Sequence, residues 1–158
     1  MDTKRFAIAR WEGDTASGRG IINAPQSGLL KSLRYGPKRN YTGGFSTGES
    51  SPEELIAAAH SGCFSMSLAA QLAAAGFSPE VISTRAEVML ESEEDPDISQ
   101  INLEVKAVVP GVDSVTFFQL AEYSSRNCPV SKLLGAGIIC LQAELVEYAD
   151  AQFPETVE

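Results

Sequence analysis

Positive charge is scarce in this chain. Its 158 residues include 12 lysines and arginines against 21 aspartates and glutamates, a net charge of −9. Nucleic acids and anionic membranes both repel such a surface, because they carry the same sign of charge. The sequence therefore predicts neither a nucleic-acid partner nor a membrane partner.

Cysteine and histidine are also rare, with three cysteines and one histidine. This is too little cysteine for a disulfide framework, so thiols are expected. His60, Cys63, Cys128 and Cys140 are zinc-type ligands, but their spacing lacks the short pairs of structural zinc sites. We expect no metal and no other cofactor. Cys140 lies in an apolar strand-like segment and is predicted to be structural.

No secretory leader is evident at the N-terminus, where Met1-Asp2-Thr3-Lys4-Arg5 precedes a strand-like segment with Arg10 and Glu12. We therefore expect a cytoplasmic protein. Hydrophobic residues make up 44% and charged residues 21%, values typical of a globular domain. We expect one domain over residues 1–148, followed by a loose acidic tail over residues 149–158.

The central segment of the chain predicts a long helix. Ser51 is suited to the N-cap, Pro52 to the first helical position and Glu54 to the end of a capping box. The helix is expected to end near Ala75, before Gly76, and no charge lies between Glu54 and Glu80. Such a helix is expected to be buried on most sides. A membrane span is the alternative, but alanines and polar residues make the segment only weakly hydrophobic.

Short strands are predicted around this helix. Alternating apolar residues mark two of them, from Ile82 to Leu90 and from Ile101 to Val109. Asp113 is suited to capping a second helix, and Pro129 to starting a third. Further strands are predicted over residues 6–12, 20–24, 29–35 and 138–148. This order indicates an α+β fold, with antiparallel sheet packed on the long apolar helix.

Two cysteines and the histidine are candidates for chemistry. Cys63 lies in the middle of the apolar helix, where burial raises a thiol pKa, so reactivity would need a nearby cation. Cys128 precedes Pro129 at a helix N-terminus, and could be a reactive thiolate or only a cap. His60 shares a helix face with Cys63, but no third group to orient it is evident. We therefore favour a packed core histidine over a cysteine–histidine hydrolase.

Two segments resemble the family of osmotically inducible protein C and organic hydroperoxide resistance protein (OsmC/Ohr). These are Ser51-Pro52-Glu53-Glu54-Leu55-Ile56-Ala57-Ala58-Ala59-His60-Ser61-Gly62-Cys63-Phe64-Ser65-Met66 and Asn127-Cys128-Pro129-Val130-Ser131-Lys132-Leu133-Leu134. Trp11-Glu12-Gly13-Asp14 and Tyr35-Gly36 resemble the osmotically inducible branch more closely. The resemblance spans nearly the whole chain except its tail.

The resemblance implies an intertwined homodimer that reduces organic hydroperoxides with thiols. Cys63 would be the peroxidatic cysteine and Cys128 the resolving one, joined after turnover as a disulfide. Arg39 would face the thiolate and Glu53 would hold the arginine, with Arg34 and Lys38 as alternatives for the cation. The substrates would be an organic hydroperoxide and an external dithiol, with a lipoylated protein as a candidate reductant.

Other functions remain open at this point. The same fold could serve as a redox sensor or bind a small hydrophobic ligand in a dimer crevice, without efficient turnover. A metal-bound or purely structural protein is a third alternative.

Overall fold

The computed structural model describes most of the chain. The described residues are 4–14, 18–36, 48–91 and 97–153. They form two compact units, Met1–Leu55 and Ile56–Glu158. The prediction of a single domain over residues 1–148 stays a prediction.

The first unit contains a small antiparallel sheet of three strands in sequence order. The strands are β1 (Ile8–Glu12), β2 (Arg19–Asn23) and β3 (Leu33–Tyr35). Gly20 lies opposite Tyr35, and a Cβ atom at this glycine would collide with the tyrosine ring. The Trp11 ring lies 5.6 Å from the same ring, centroid to centroid. Glycine is therefore required at position 20, because the Tyr35 ring packs directly against the β2 backbone there.

The long helix α1 (Pro52–Ala74) begins and ends close to the predicted positions. Ser51 Oγ accepts the backbone N–H of Glu54 at 3.2 Å, but the Glu54 carboxylate accepts the Ser50 hydroxyl at 2.5 Å. The capping box is thus only half formed, because a neighbouring serine takes the carboxylate. Gly76 follows the helix with a φ of +87°, a conformation that glycine adopts without steric cost.

The second unit has a three-stranded sheet in the order β4–β5–β6. The strands are β4 (Val81–Glu91), β5 (Asp97–Val108) and β6 (Ile139–Leu145). β4 pairs with β5 antiparallel, whereas β5 pairs with β6 parallel. The prediction of an all-antiparallel sheet was wrong at β6. Two helices separate β5 from β6 along the chain, and such a crossover can return the strand in the same direction.

Helices α2 (Ser114–Asn127) and α3 (Pro129–Leu134) form this crossover. Asp113 Oδ1 accepts the N–H groups of Val115 and Thr116 at 3.0 and 2.9 Å, which confirms the predicted cap. Cys128 is the N-cap of α3, also as predicted.

The core of the second unit lies between α1, α2 and the sheet. It includes Phe64 and Leu68 from α1, Leu103 and Val105 from β5, and Phe117 from α2. On β5 every second side chain from Ile101 is buried, as the alternation predicts.

Only one face of α1 is buried within the single chain. Its fully buried side chains are His60, Phe64, Leu68 and Leu72, spaced four residues apart. The expectation of burial on most sides is therefore not met by this chain alone. The other face is exposed, and along it runs a line of small or apolar residues spaced four apart, the outer stripe: Ala58, Gly62, Met66, Ala70 and Ala74.

The first residues of the predicted loose tail are packed on the sheet. Ala151 is buried, and its carbonyl accepts a hydrogen bond from the Ser83 hydroxyl. The Lys106 ammonium lies 5.1 Å from the Phe153 ring centroid. The tail is therefore held as far as Phe153; residues 154–158 lie outside the described residues.

Candidate active site

The structure brings the two predicted cysteines together. Cys63 lies half-buried in α1, and Cys128 is 1% exposed at the N-terminus of α3. The Cys128 thiol and the backbone N–H of Val130 both lie close enough to Cys63 to influence its pKa. The two cysteines are 65 positions apart in sequence, so their meeting depends on how α3 packs against α1.

Burial is the main influence on the pKa of the Cys63 thiol. Burial raises the pKa of Cys63, the Val130 N–H opposes the rise, and the neighbouring Cys128 thiol raises it further. Within the described residues, no cation contributes to this balance. Since the thiolate is the nucleophile, a reactive Cys63 needs a positive group beside it.

The predicted cation and its partner are only partly described. Arg39 lies outside the described residues, as does the alternative Lys38. The other alternative, Arg34, is exposed on β3. Glu53 is half-buried in the first turn of α1. The roles predicted for Arg39 and Glu53 therefore stay predictions.

Cys128 receives hydrogen bonds typical of a helix cap. The backbone N–H of Ser131 donates to Cys128 Sγ at 3.4 Å, and Ser131 Oγ lies 2.9 Å from the same sulfur. Ser131 in turn lies 2.8 Å from His60 Nε2. His60 and Ser131 are both fully buried. The sequence reasoning missed Ser131, although a residue three positions after an N-cap is where a donor to the cap is expected.

His60 is a core histidine, as favoured from the sequence, but it is not surrounded only by apolar atoms. Its bond to Ser131 links α1 to α3 across 71 residues of sequence. Burial lowers the pKa of His60 below its ordinary value, so the imidazole is neutral near pH 7.

The remaining cysteine does not join this group. Cys140 lies on β6 and is exposed, because it points away from the core side of the strand. Its structural role stays a prediction. Among the described residues, no three His, Cys, Asp or Glu side chains are grouped as metal ligands. The site is thus a thiol pair with a buried serine and histidine behind it.

Comparison with known proteins agrees with the resemblance seen in the motifs. The family model described as OsmC-like protein matches residues 45–141. Peroxiredoxin OsmC of Escherichia coli (strain K12) is 40% identical over 139 residues, covering 87% of this chain and 94% of that protein. The same values hold for Peroxiredoxin OsmC of Shigella flexneri.

Solved structures share the fold at lower identity. The organic hydroperoxide resistance protein OhrB of Bacillus subtilis has a TM-score of 0.64 and 22% identity, covering 89% of this chain and 98% of that one. An OsmC-like protein from Mycoplasma pneumoniae has a TM-score of 0.66 and 13% identity, covering 92% and 98%. Together with the family match and the 40% identity, these findings establish that the chain belongs to the OsmC family.

Proposed function

We propose that this protein is a thiol peroxidase that reduces organic hydroperoxides to alcohols, with Cys63 as the peroxidatic and Cys128 as the resolving cysteine. One observation carries the proposal: a half-buried thiol on α1 lies near a buried thiol at the N-terminus of α3. The relatives named Peroxiredoxin OsmC support the same activity.

The chemistry balances with these two thiols. The Cys63 thiolate attacks the outer peroxide oxygen, the O–O bond breaks, and the alkoxide takes a proton to leave as an alcohol. Cys63 is then a sulfenic acid. Cys128 condenses with it to a disulfide and water, which competes with further oxidation of Cys63. An external dithiol reduces the disulfide by exchange.

The cation that Cys63 needs is proposed to be Arg39. Its guanidinium would stabilise the thiolate against the rise in pKa that burial causes. Glu53 would orient the guanidinium, because a planar fork can bind a carboxylate while it faces a sulfur. A lysine such as Lys38 lacks this geometry.

The proposed preference for organic hydroperoxides over hydrogen peroxide is supported by the family to which the chain belongs. Of the apolar residues that follow Cys63 in α1, Met66 is 71% exposed, whereas Phe64 is fully buried in the core. Phe64 therefore shapes the helix position and does not line a substrate site. Tyr41 or Phe45 would be a further apolar contact for an organic substrate, and both lie outside the described residues.

A homodimer is proposed with the outer stripe of α1 at its interface. Helix α1 is long and apolar enough to cross a membrane by length and composition, a test that core helices of soluble proteins also pass. A second copy would cover this apolar face and bury α1 on the sides that one chain leaves open. We also propose that this dimer is soluble and cytoplasmic. Its reductant would be an external dithiol, such as a lipoylated protein.

The test is peroxide consumption with cumene hydroperoxide and dihydrolipoamide. Wild type should turn over and form a Cys63–Cys128 disulfide detectable by mass spectrometry, and Cys63→Ser should lose turnover. Cys140→Ser is the matched control, since it removes an exposed thiol outside the pair. Oxidation of Cys63 once, without recycling by excess dithiol, would instead indicate a redox sensor.

A further inference from the structure

A buried line of polar atoms leads from α1 to the sulfur of Cys128. His60 Nε2 lies 2.8 Å from Ser131 Oγ, and Ser131 Oγ lies 2.9 Å from Cys128 Sγ. His60 and Ser131 are 0% exposed and Cys128 is 1% exposed. Polar groups in such a core are costly unless they bond to one another. We call this line the His60–Ser131–Cys128 chain.

The direction of the hydrogens in the chain follows from the far side of the imidazole. His60 Nδ1 is buried without a hydrogen-bond partner among the described residues. A buried N–H without a partner is rarer than a buried lone pair, so the single proton of the neutral ring belongs on Nε2. Nε2–H then donates to Ser131 Oγ. The serine hydroxyl proton is left to point at Cys128 Sγ.

The sulfur of Cys128 therefore meets two donors from one residue. These are the Ser131 hydroxyl at 2.9 Å and the Ser131 backbone N–H at 3.4 Å. Both belong to the first turn of α3. This arrangement stabilises negative charge that develops on the sulfur when its proton leaves.

We propose that Ser131 is a catalytic residue of the resolving step, and that His60 is a positioning residue that aims the Ser131 hydroxyl at Cys128. The inference rests on the proposed function, since it concerns attack by Cys128 on the Cys63 sulfenic acid. In that step the S–S bond forms and the S–O bond of the sulfenic acid breaks. The Cys128 proton joins the departing hydroxide as water, so no further oxidant or reductant is needed.

The role differs from that of the predicted arginine. Arg39 is proposed to act on Cys63 in the first step, before any sulfenic acid exists. Ser131 bonds to the second thiol and His60 bonds to Ser131, so replacing either residue should leave peroxide reduction by Cys63 unchanged. The two steps can be measured separately in one single-turnover experiment.

The experiment mixes reduced protein with one equivalent of cumene hydroperoxide and quenches it at intervals. Mass spectrometry then follows Cys63 sulfenic acid and the Cys63–Cys128 disulfide. In Ser131→Ala we expect disulfide formation to slow by about 10- to 100-fold, the size of a lost hydrogen bond to a charged group. Sulfenic acid should form as fast as in wild type, and Cys63 should reach sulfinic acid with excess peroxide.

Three further variants distinguish a slower resolving step from a loss of the folded structure. Ser131→Thr keeps the hydroxyl and should restore most of the rate. His60→Leu removes the donor to Ser131 and should slow only disulfide formation, whereas His60→Gln keeps an N–H donor and should lose less. Ser125→Ala is the control, because this buried serine donates to a backbone carbonyl and not to the sulfur.

The outcomes assign failure to one proposal or the other. A wild-type protein that never forms the disulfide overturns the proposed function and this role together. Disulfide formation that is equally fast in wild type and Ser131→Ala overturns the role of Ser131 alone. If Ser131→Ala fails to fold, Ser131→Thr and the two His60 variants decide: equal disulfide rates in all three overturn the proposal.

Discussion

A charge placed on the outer stripe of α1 should break the proposed dimer. Met66 is 71% exposed in the single chain, the most exposed large hydrophobic side chain of this helix. Full burial of a methionine side chain contributes about 1.5–3 kcal/mol, so covering this exposed fraction contributes roughly 1–2 kcal/mol. A twofold interface contains the residue twice, which makes about 2–4 kcal/mol per dimer.

Met66→Lys removes this contribution and adds two ammonium groups to an apolar interface. We expect the dissociation constant to rise by at least about 30- to 700-fold, at 1.4 kcal/mol per factor of ten. The position tolerates a longer side chain in the isolated chain because it faces outward. One turn earlier, an added Cβ at Gly62 would meet nothing within 4 Å.

Sedimentation equilibrium over a range of protein concentrations measures this change. Val115→Lys is the matched control, because Val115 is 67% exposed on α2 and lies outside the outer stripe. Far-UV circular dichroism distinguishes dissociation from unfolding. If Met66→Lys and Val115→Lys both sediment as wild-type dimers, the outer stripe is not the dimer interface. A wild type that is monomeric throughout would refute the dimer itself.

Two further predictions concern ionisable groups. Arg39→Ala should raise the pKa of Cys63 further. The alkylation rate of Cys63 should then increase only at higher pH than in wild type. An unchanged pH profile would assign the role of the cation to another residue. Burial lowers the pKa of His60 below 6.5, so the unfolded chain binds this proton at a higher pH than the folded one. The resulting stability is present above pH 6.5 and lost as pH falls through the folded pKa. Urea unfolding between pH 7.5 and 5 should therefore show a steeper loss in wild type than in His60→Gln, and parallel curves would contradict a buried neutral imidazole.

Local signals explain why much of the fold was predictable. Pro52 and Gly76 mark the ends of α1 through short-range steric and hydrogen-bonding preferences. Asp113 and Cys128 cap α2 and α3 because each needs only N–H groups within three residues. The alternation along β5 likewise depends on the period of the strand and not on distant residues.

The direction of β6 could not be predicted in the same way. Its seven residues alternate between half-buried and exposed, a pattern shared by parallel and antiparallel strands. The direction of β6 depends on α2 and α3, which connect β5 to β6 and return the chain parallel to β5. The burial of α1 within one chain was overestimated for a related reason. An apolar composition indicates that a helix face is buried, but it does not indicate whether the same chain or a second molecule buries it.

The sequence by itself determined the ends of α1, the caps of α2 and α3, the two candidate thiols and the family resemblance, because these depend on neighbouring residues or on short motifs. Only the tertiary structure decided that Cys63 meets Cys128, that burial raises the pKa of Cys63, and that His60 reaches Ser131. These contacts join residues at least 65 positions apart. Their geometry is set by how α3 packs on α1, and packing between distant segments leaves no periodic pattern in the sequence.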